Sequence, residues 1–106
     1  MATGRLGASD MLGGTLTTVY TCPVDTYAIA SLNLCNRGNQ ATSLRVAVSA
    51  ADTPVAGEYI EYDVEVLSKG VLERTGIVLS AGQKIVAYAS GANIAAVVMG
   101  IETATT

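Results

Sequence analysis

The sequence predicts an all-β domain of about seven short antiparallel strands in a β-sandwich, jelly-roll-like or immunoglobulin-like, with an extended N-terminal arm. Val and Thr are abundant, and their branched side chains favour strands. Gly-rich turn signals recur about every 8–12 residues, which is typical of a sandwich or a barrel. No window of about ten residues shows the apolar period of an amphipathic helix.

Residues 1–14 are predicted to form the arm. This segment contains four Gly and has no sustained period, which is typical of a flexible terminus. Leu6, Met11 and Leu12 give it apolar side chains that a neighbouring subunit would bury, and Arg5 adds a charge. The arm is therefore a candidate contact between subunits.

The first three predicted strands span 15–22, 27–36 and 42–50. The first is rich in Thr and ends at Pro23, which cannot donate to a strand ladder. The second carries one apolar series on a single face, namely Ala28, Ala30, Leu32 and Leu34. The third alternates most clearly, with an inward series of Leu44, Val46 and Val48.

The last four predicted strands span 58–66, 71–79, 84–89 and 94–101. In the first of them, regular alternation puts Tyr59 and Tyr62 on opposite faces and aligns three carboxylates in one row, those of Glu61, Asp63 and Glu65. Gly76 predicts a bulge or a bend. The connections are shorter than the roughly dozen residues that a parallel crossover requires, so antiparallel pairing is expected.

These segments make one domain, 15–102, followed by a frayed tail at 103–106. A chain of 106 residues has room for a single domain with a modest core. Half of its residues are hydrophobic and 14% are charged. Such an apolar excess is more than a small core can hide, so it predicts a surface for self-association.

Charge and hydropathy limit the partners. The net charge is −3 and the six basic residues are scattered, so we expect no nucleic-acid partner. No segment approaches the roughly 20 apolar residues that cross a bilayer, and the first residues lack the apolar region of a signal peptide. We therefore expect no membrane partner and a protein made in the cytoplasm. There, Cys22 and Cys35 are expected as free, half-buried thiols.

The residue types also limit the chemistry. The chain has no His, so neither a Ser-His-Asp nor a Cys-His site can form within it. We predict no enzymatic activity, no catalytic residue and no cofactor. The acidic row offers oxygen ligands to a hard cation such as Ca²⁺, but it lacks the loop spacing of a calcium-binding hand. We predict no metal site, and we interpret the row as solvated or paired with Arg.

Glu73 and Arg74 interrupt an otherwise apolar strand and would point to opposite faces, where either could fix the register of an interface. The predicted contact residues toward other copies or toward a larger particle are Arg5, Leu6, Met11, Leu12, Tyr59, Glu61, Asp63, Glu73 and Arg74.

Four phrases of the sequence, 1–7, 34–37, 58–63 and 70–77, resemble those of a known group. With these phrases the chain resembles small virion structural proteins of tailed bacteriophages, including cyanophages. The resemblance covers most of the chain. It is a likeness of overall layout and of these short segments, and it includes no mechanistic motif.

The resemblance implies a multi-copy, non-enzymatic role in a virion that is assembled in the host cytoplasm. One such role is a capsid decoration or cement protein, which sits on the head as a homotrimer and binds the major capsid protein or other virion proteins. The alternative is a small tail- or baseplate-associated component, or a module that binds a glycan or a receptor. We favour the decoration role.

Overall fold

The computed structural model describes residues 3–105, which form eight strands. The strands are β1 (Thr3–Met11), β2 (Leu16–Thr21), β3 (Thr26–Asn36), β4 (Thr42–Ser49), β5 (Tyr59–Val66), β6 (Val71–Leu79), β7 (Lys84–Ala89) and β8 (Ile94–Ala104). One turn of 3-10 helix, Ala56–Glu58, precedes β5. The strands form two antiparallel sheets, a first sheet in the order β1-β8-β3-β6 and a second in the order β2-β7-β4-β5.

The two sheets pack around a single apolar core. Burial alternates along β3, where Leu32 and Leu34 are buried, and along β4, where Leu44 and Val46 are buried. All four belong to one cluster that draws on both sheets. This alternation is what the strand period requires when one face of each sheet meets the core. The predictions of an all-β fold and of antiparallel pairing are confirmed.

The segment predicted as a flexible arm is instead strand β1, so the sheets contain eight strands and not seven. It pairs with β8 from Thr3 opposite Ile101 to Met11 opposite Ile94. Its alternation was hidden in the sequence because a bulge interrupts the register between Arg5 and Gly7. Met1 and Ala2, the first residues of the predicted arm, lie outside the described residues.

The predicted frayed tail is also wrong for its described part. Strand β8 continues to Ala104, which pairs with Thr26. The Thr105 amide then donates to the Asp25 carbonyl at 3.0 Å. Polar residues at the end of the chain conceal a strand whose register is set by its neighbour β3. Thr106 lies outside the described residues.

Strand β5 departs from regular alternation. Its register against β4 shifts twice, once between Leu44 and Val46 and once between Val46 and Ala47, and Asp63 has a φ of 55°. Each extra residue moves the following side chains to the other face. The bulge expected at Gly76 is confirmed, because the register of β3 with β6 shifts between Ala30 and Leu32 and Gly76 has a φ of 71°.

Candidate interaction surfaces

The outer surface of the first sheet carries a continuous apolar area. The register places Val78, Ile29 and Ile101 side by side on β6, β3 and β8. They are 63%, 52% and 56% exposed, which is high for side chains of this size. Met99 and Tyr27 extend the area on the same outer surface. We call this surface, defined by these five residues, the apolar face.

Two unpaired charges of opposite sign lie at the edges of the first sheet. Arg5 on edge strand β1 is opposite Met99, and Glu73 on edge strand β6 is opposite Asn33. Both residues are exposed. Within residues 3–105, neither side chain has an ion pair. They are therefore available to a charged group on a partner.

An ion pair joins the two sheets on the side where their edge strands β5 and β6 meet. Arg74 of β6 donates to Glu61 of β5 at 3.0 Å, so this contact joins the two sheets. Arg74 pairs with the inward-facing Leu32, whereas Glu73 lies on the outer surface, which agrees with their predicted opposite orientations. Glu61 and Arg74 are thus engaged within the chain.

A cluster of aromatic and charged side chains lies on the outer surface of the second sheet. The Arg45 guanidinium carbon is 4.2 Å from the ring centroid of Tyr62 and 5.1 Å from that of Tyr88. The rings of Tyr59 and Tyr62 meet edge to face, with centroids 5.1 Å apart and an interplanar angle of 83°. We call Arg45, Tyr59, Tyr62, Tyr88 and Asp63 the Tyr–Arg cluster.

Asp63 completes this cluster. Its carboxylate accepts two hydrogen bonds from Arg45, at 2.6 Å to Nε and 3.3 Å to Nη2. Hydrogen bonding from Arg45 lowers the pKa of Asp63, and the same contact raises the pKa of Arg45. The pair is therefore ionised near neutral pH, and its two charges cancel.

Two interpretations of the sequence fail in this region. The predicted acidic row does not lie on one face, because Glu61 turns toward Arg74 while Asp63 bonds Arg45, although the expected pairing with Arg is confirmed for these two carboxylates. Tyr59 and Tyr62, predicted on opposite faces, are in ring contact. The two bulges of β5 explain both corrections, since the predictions assumed a regular strand.

The loop between β4 and β5, residues 50–58, covers part of this surface. Its Asp52 accepts a hydrogen bond from Thr18 at 2.6 Å and lies 3.7 Å from the Lys84 ammonium. Thr18 belongs to β2, at the far edge of the second sheet, so the loop reaches across it. Beneath it Ala47 and Val86 are buried although they face away from the core cluster. The Tyr–Arg cluster lies beside this covered part and stays open.

Glu58, the last residue of this loop, holds the first residues of the loop in place. Its carboxylate accepts hydrogen bonds from the Val55 amide at 2.9 Å, the Ser49 hydroxyl at 3.0 Å and the Ala50 amide at 3.3 Å. These bonds lower the pKa of Glu58, the Val55 amide most strongly. The pKa of Asp52 is lowered by its hydrogen bond from Thr18 and by the charge of Lys84.

Two buried polar groups, those of Tyr20 and Cys22, lie between the sheets. The Tyr20 hydroxyl of the second sheet donates to Glu102 of the first at 2.6 Å, and burial raises the Tyr20 pKa well above its usual range. Cys22 is 1% exposed, and burial likewise raises the pKa of its thiol. Cys22 is a free thiol deeper than the half-buried position predicted, whereas Cys35 is free and half-buried. Both Tyr20 and Cys22 are protonated at neutral pH.

The remaining predicted contact residues have mixed positions. Leu6 packs against the core and Met11 is 2% exposed, so both face inward. Leu12 is 70% exposed in the turn after β1. The sequence interpretation did not single out Ile29, Val78, Ile101 or Arg45. For the three apolar residues the signal was their outward position on β3, β6 and β8, whereas Arg45 on β4 gave none.

Comparisons with family models, with curated proteins and with solved structures gave no match. In the described part of the chain, no group of three or more His, Cys, Asp or Glu side chains is arranged to hold a metal ion. Within residues 3–105, no helix is long and apolar enough to cross a membrane.

Proposed function

We propose that this protein is a non-enzymatic structural component of a bacteriophage virion, a capsid decoration protein that associates with copies of itself and reinforces the assembled head. The single observation that carries the proposal is the apolar face. A contiguous exposed apolar surface on a small protein marks a place where another macromolecule binds. The resemblance to virion structural proteins is the reason for proposing a bacteriophage virion as the larger assembly.

The strand order supports a jelly-roll sandwich, the more specific of the two expected architectures. Strand β1 pairs with β8, β2 with β7, β3 with β6 and β4 with β5. These nested pairs are those of one long hairpin rolled into two sheets. The jelly roll has eight strands in two sheets and is common in viral capsid domains and in lectins. This topology is consistent with a virion protein without specifying its task.

The dimensions of the first sheet suit self-association. Four strands at a spacing of about 4.8 Å and about nine residues at a rise of about 3.3 Å cover about 600 Å². Two such surfaces in contact bury about 1,200 Å² in total, the lower end of the range for stable specific interfaces. In the described residues, the apolar core is buried between the two sheets and does not include this outer surface. A second copy is therefore an occupant of matching size and polarity.

The charges at the edges fit a two-fold contact. In a face-to-face pair related by an axis parallel to the strands, β1 of one copy lies over β6 of the other. Arg5 of each copy then approaches Glu73 of its partner, and the contact occurs twice, as an isologous interface requires. This arrangement favours an even number of copies, whereas the resemblance implies a trimer, so the mass of the oligomer is part of the test.

Analytical ultracentrifugation of the purified protein and of Ile29→Lys tests self-association. We expect an oligomer for the wild type and a folded monomer for Ile29→Lys, because a buried unpaired ammonium disrupts an apolar interface. Val24→Lys is the matched control, since Val24 is 80% exposed and lies in the β2–β3 turn. A wild type that remains monomeric at high concentration would contradict self-association.

Cryo-electron microscopy of the parent virion with this protein tagged tests the decoration role. Density on the outer surface of the head is the expected result. Density confined to the tail would refute decoration while leaving self-association intact.

A further inference from the structure

We propose that the Tyr–Arg cluster is a binding site for a neutral carbohydrate. This inference goes beyond the proposed structural role and rests on the opposite sheet. The cluster borders an open cavity of about 550 Å³ that is lined by Ala56, Tyr59 and Tyr62. This volume lies in the range of small-molecule sites.

The aromatic surface is fixed before any ligand arrives. Tyr62 is 57% exposed, yet its ring has the Arg45 guanidinium at 4.2 Å and the Tyr59 ring at a centroid distance of 5.1 Å. An exposed ring that is held in one orientation loses little further entropy on binding. Tyr rings offer an apolar body with a polar end, which suits the apolar C–H positions and the hydroxyls of a sugar.

The electrostatics of the cluster favour a neutral ligand. Arg45, which stacks on the Tyr62 ring beside the cavity, and Asp63 neutralise each other through two hydrogen bonds, so donors and acceptors without a net charge border the site. The side chain of Asp63 remains 50% exposed and that of Arg45 31% exposed. A carboxylate oxygen has more than one acceptor position, so Asp63 can still accept from a hydroxyl. A polyhydroxylated ring satisfies these groups, whereas an anion or a cation gains little.

The size of the site argues against a protein partner. Three residues line the cavity, and the loop 50–58 reaches across the neighbouring part of the sheet to Thr18. A stable protein interface needs about 800 Å² from each partner, much more than this cluster provides. A sugar of one or two rings matches the open area. Because the apolar face lies on the other sheet, both surfaces can be occupied at once.

The experiment is a glycan array followed by saturation-transfer NMR with the soluble methyl glycosides of glucose, galactose, mannose and N-acetylglucosamine and with the highest-ranking array glycan. We expect binding to uncharged glycans and transfer from Tyr ring protons. Tyr62→Ala should raise the dissociation constant at least tenfold while the melting temperature changes little, because the side chain is mostly exposed. Tyr62→Phe should retain binding, since it preserves the ring.

Tyr27→Ala, on the apolar face, is the matched control and should leave sugar binding unchanged. Tyr59→Leu provides a second test of the cavity should Tyr62→Ala fold poorly, and it should also weaken binding. The proposal is overturned by an array without signal, by binding restricted to anionic glycans, or by affinity that survives both cluster variants. A change of oligomer mass in Tyr62→Ala without sugar binding would assign the cluster to a second copy. Ile29→Lys should abolish self-association and keep sugar binding, which separates this proposal from the proposed function.

Discussion

At the scale of single residues, Asn36 is a buried polar side chain that hydrogen-bonds to four backbone groups around it. It is 0% exposed at the end of β3. Its amide nitrogen donates to the carbonyls of Gln40 at 2.9 Å, Val66 at 3.2 Å and Leu67 at 3.3 Å, and its oxygen accepts from the Gly38 amide at 2.9 Å. One side chain thus satisfies backbone groups of two connections.

Asn36→Ala should lower the free energy of unfolding by about 2–4 kcal/mol, because it leaves buried carbonyls without a donor. Urea denaturation measures the change. Asn39→Ala is the control, because Asn39 is exposed in the same turn and should change stability by less than about 0.5 kcal/mol. Equal effects of the two substitutions would refute the role assigned to Asn36.

A second prediction at this scale concerns Gly100 in β8. A Cβ atom at this position would overlap the Ile29 carbonyl oxygen of the neighbouring strand. Gly100→Ala should therefore destabilise the protein by about 2–3 kcal/mol, the range of overpacked sites. Gly57→Ala has no atom within 4 Å of its Cβ and an ordinary φ, so it serves as the control and should be nearly neutral. Thermal unfolding of both variants compares them, and a neutral Gly100→Ala would contradict the close approach.

At the scale of elements, alternation predicted strands wherever the period was unbroken. β4 and β7 follow their predicted segments closely, and Leu44 and Val46 are buried as expected. Bulges limited the rest, because a bulge is set by pairing with a neighbour that the sequence does not reveal. One bulge hid β1, and two more in β5 brought Tyr59 and Tyr62 together. The Tyr–Arg cluster was therefore beyond sequence analysis, although Tyr59 and Asp63 were predicted individually as contact residues.

The loop 50–58 leads to a prediction about pH. The pKa values of Asp52 and Glu58 are lower in the folded protein than in the unfolded chain. A lowered pKa stabilises the fold above the ordinary carboxyl pKa of about 4, and this contribution is lost as the pH falls through the folded value. We expect the urea concentration at the unfolding midpoint of the wild type to decrease when the pH is lowered below about 4. Glu58→Gln should be less stable at pH 7 and should depend less on pH, so the two curves converge in acid. Curves that stay parallel from pH 7 to pH 3 would contradict this role.

At the scale of the whole molecule, the two sheets carry outer surfaces of different chemistry. The first sheet offers an apolar surface with unpaired charges at its edges, and the second offers a small polar and aromatic site beside a covering loop. The apolar core between the sheets holds them together, and neither outer surface is part of it. A module of this kind can therefore be joined to copies of itself on one side and remain open to a ligand on the other.

The proposed two-fold contact predicts that charge reversal at one edge can be rescued at the other. Arg5→Glu and Glu73→Arg should each raise the dissociation constant of the oligomer about tenfold, because each places like charges together. The double variant restores opposite charges and should return to within a few-fold of the wild type. Glu65→Arg is the control, because Glu65 is exposed on β5 of the other sheet and should have no effect. Sedimentation at low and at high salt measures all four variants, and high salt should compress their differences. A double variant that associates as weakly as the weaker single variant would show that these two charges do not meet.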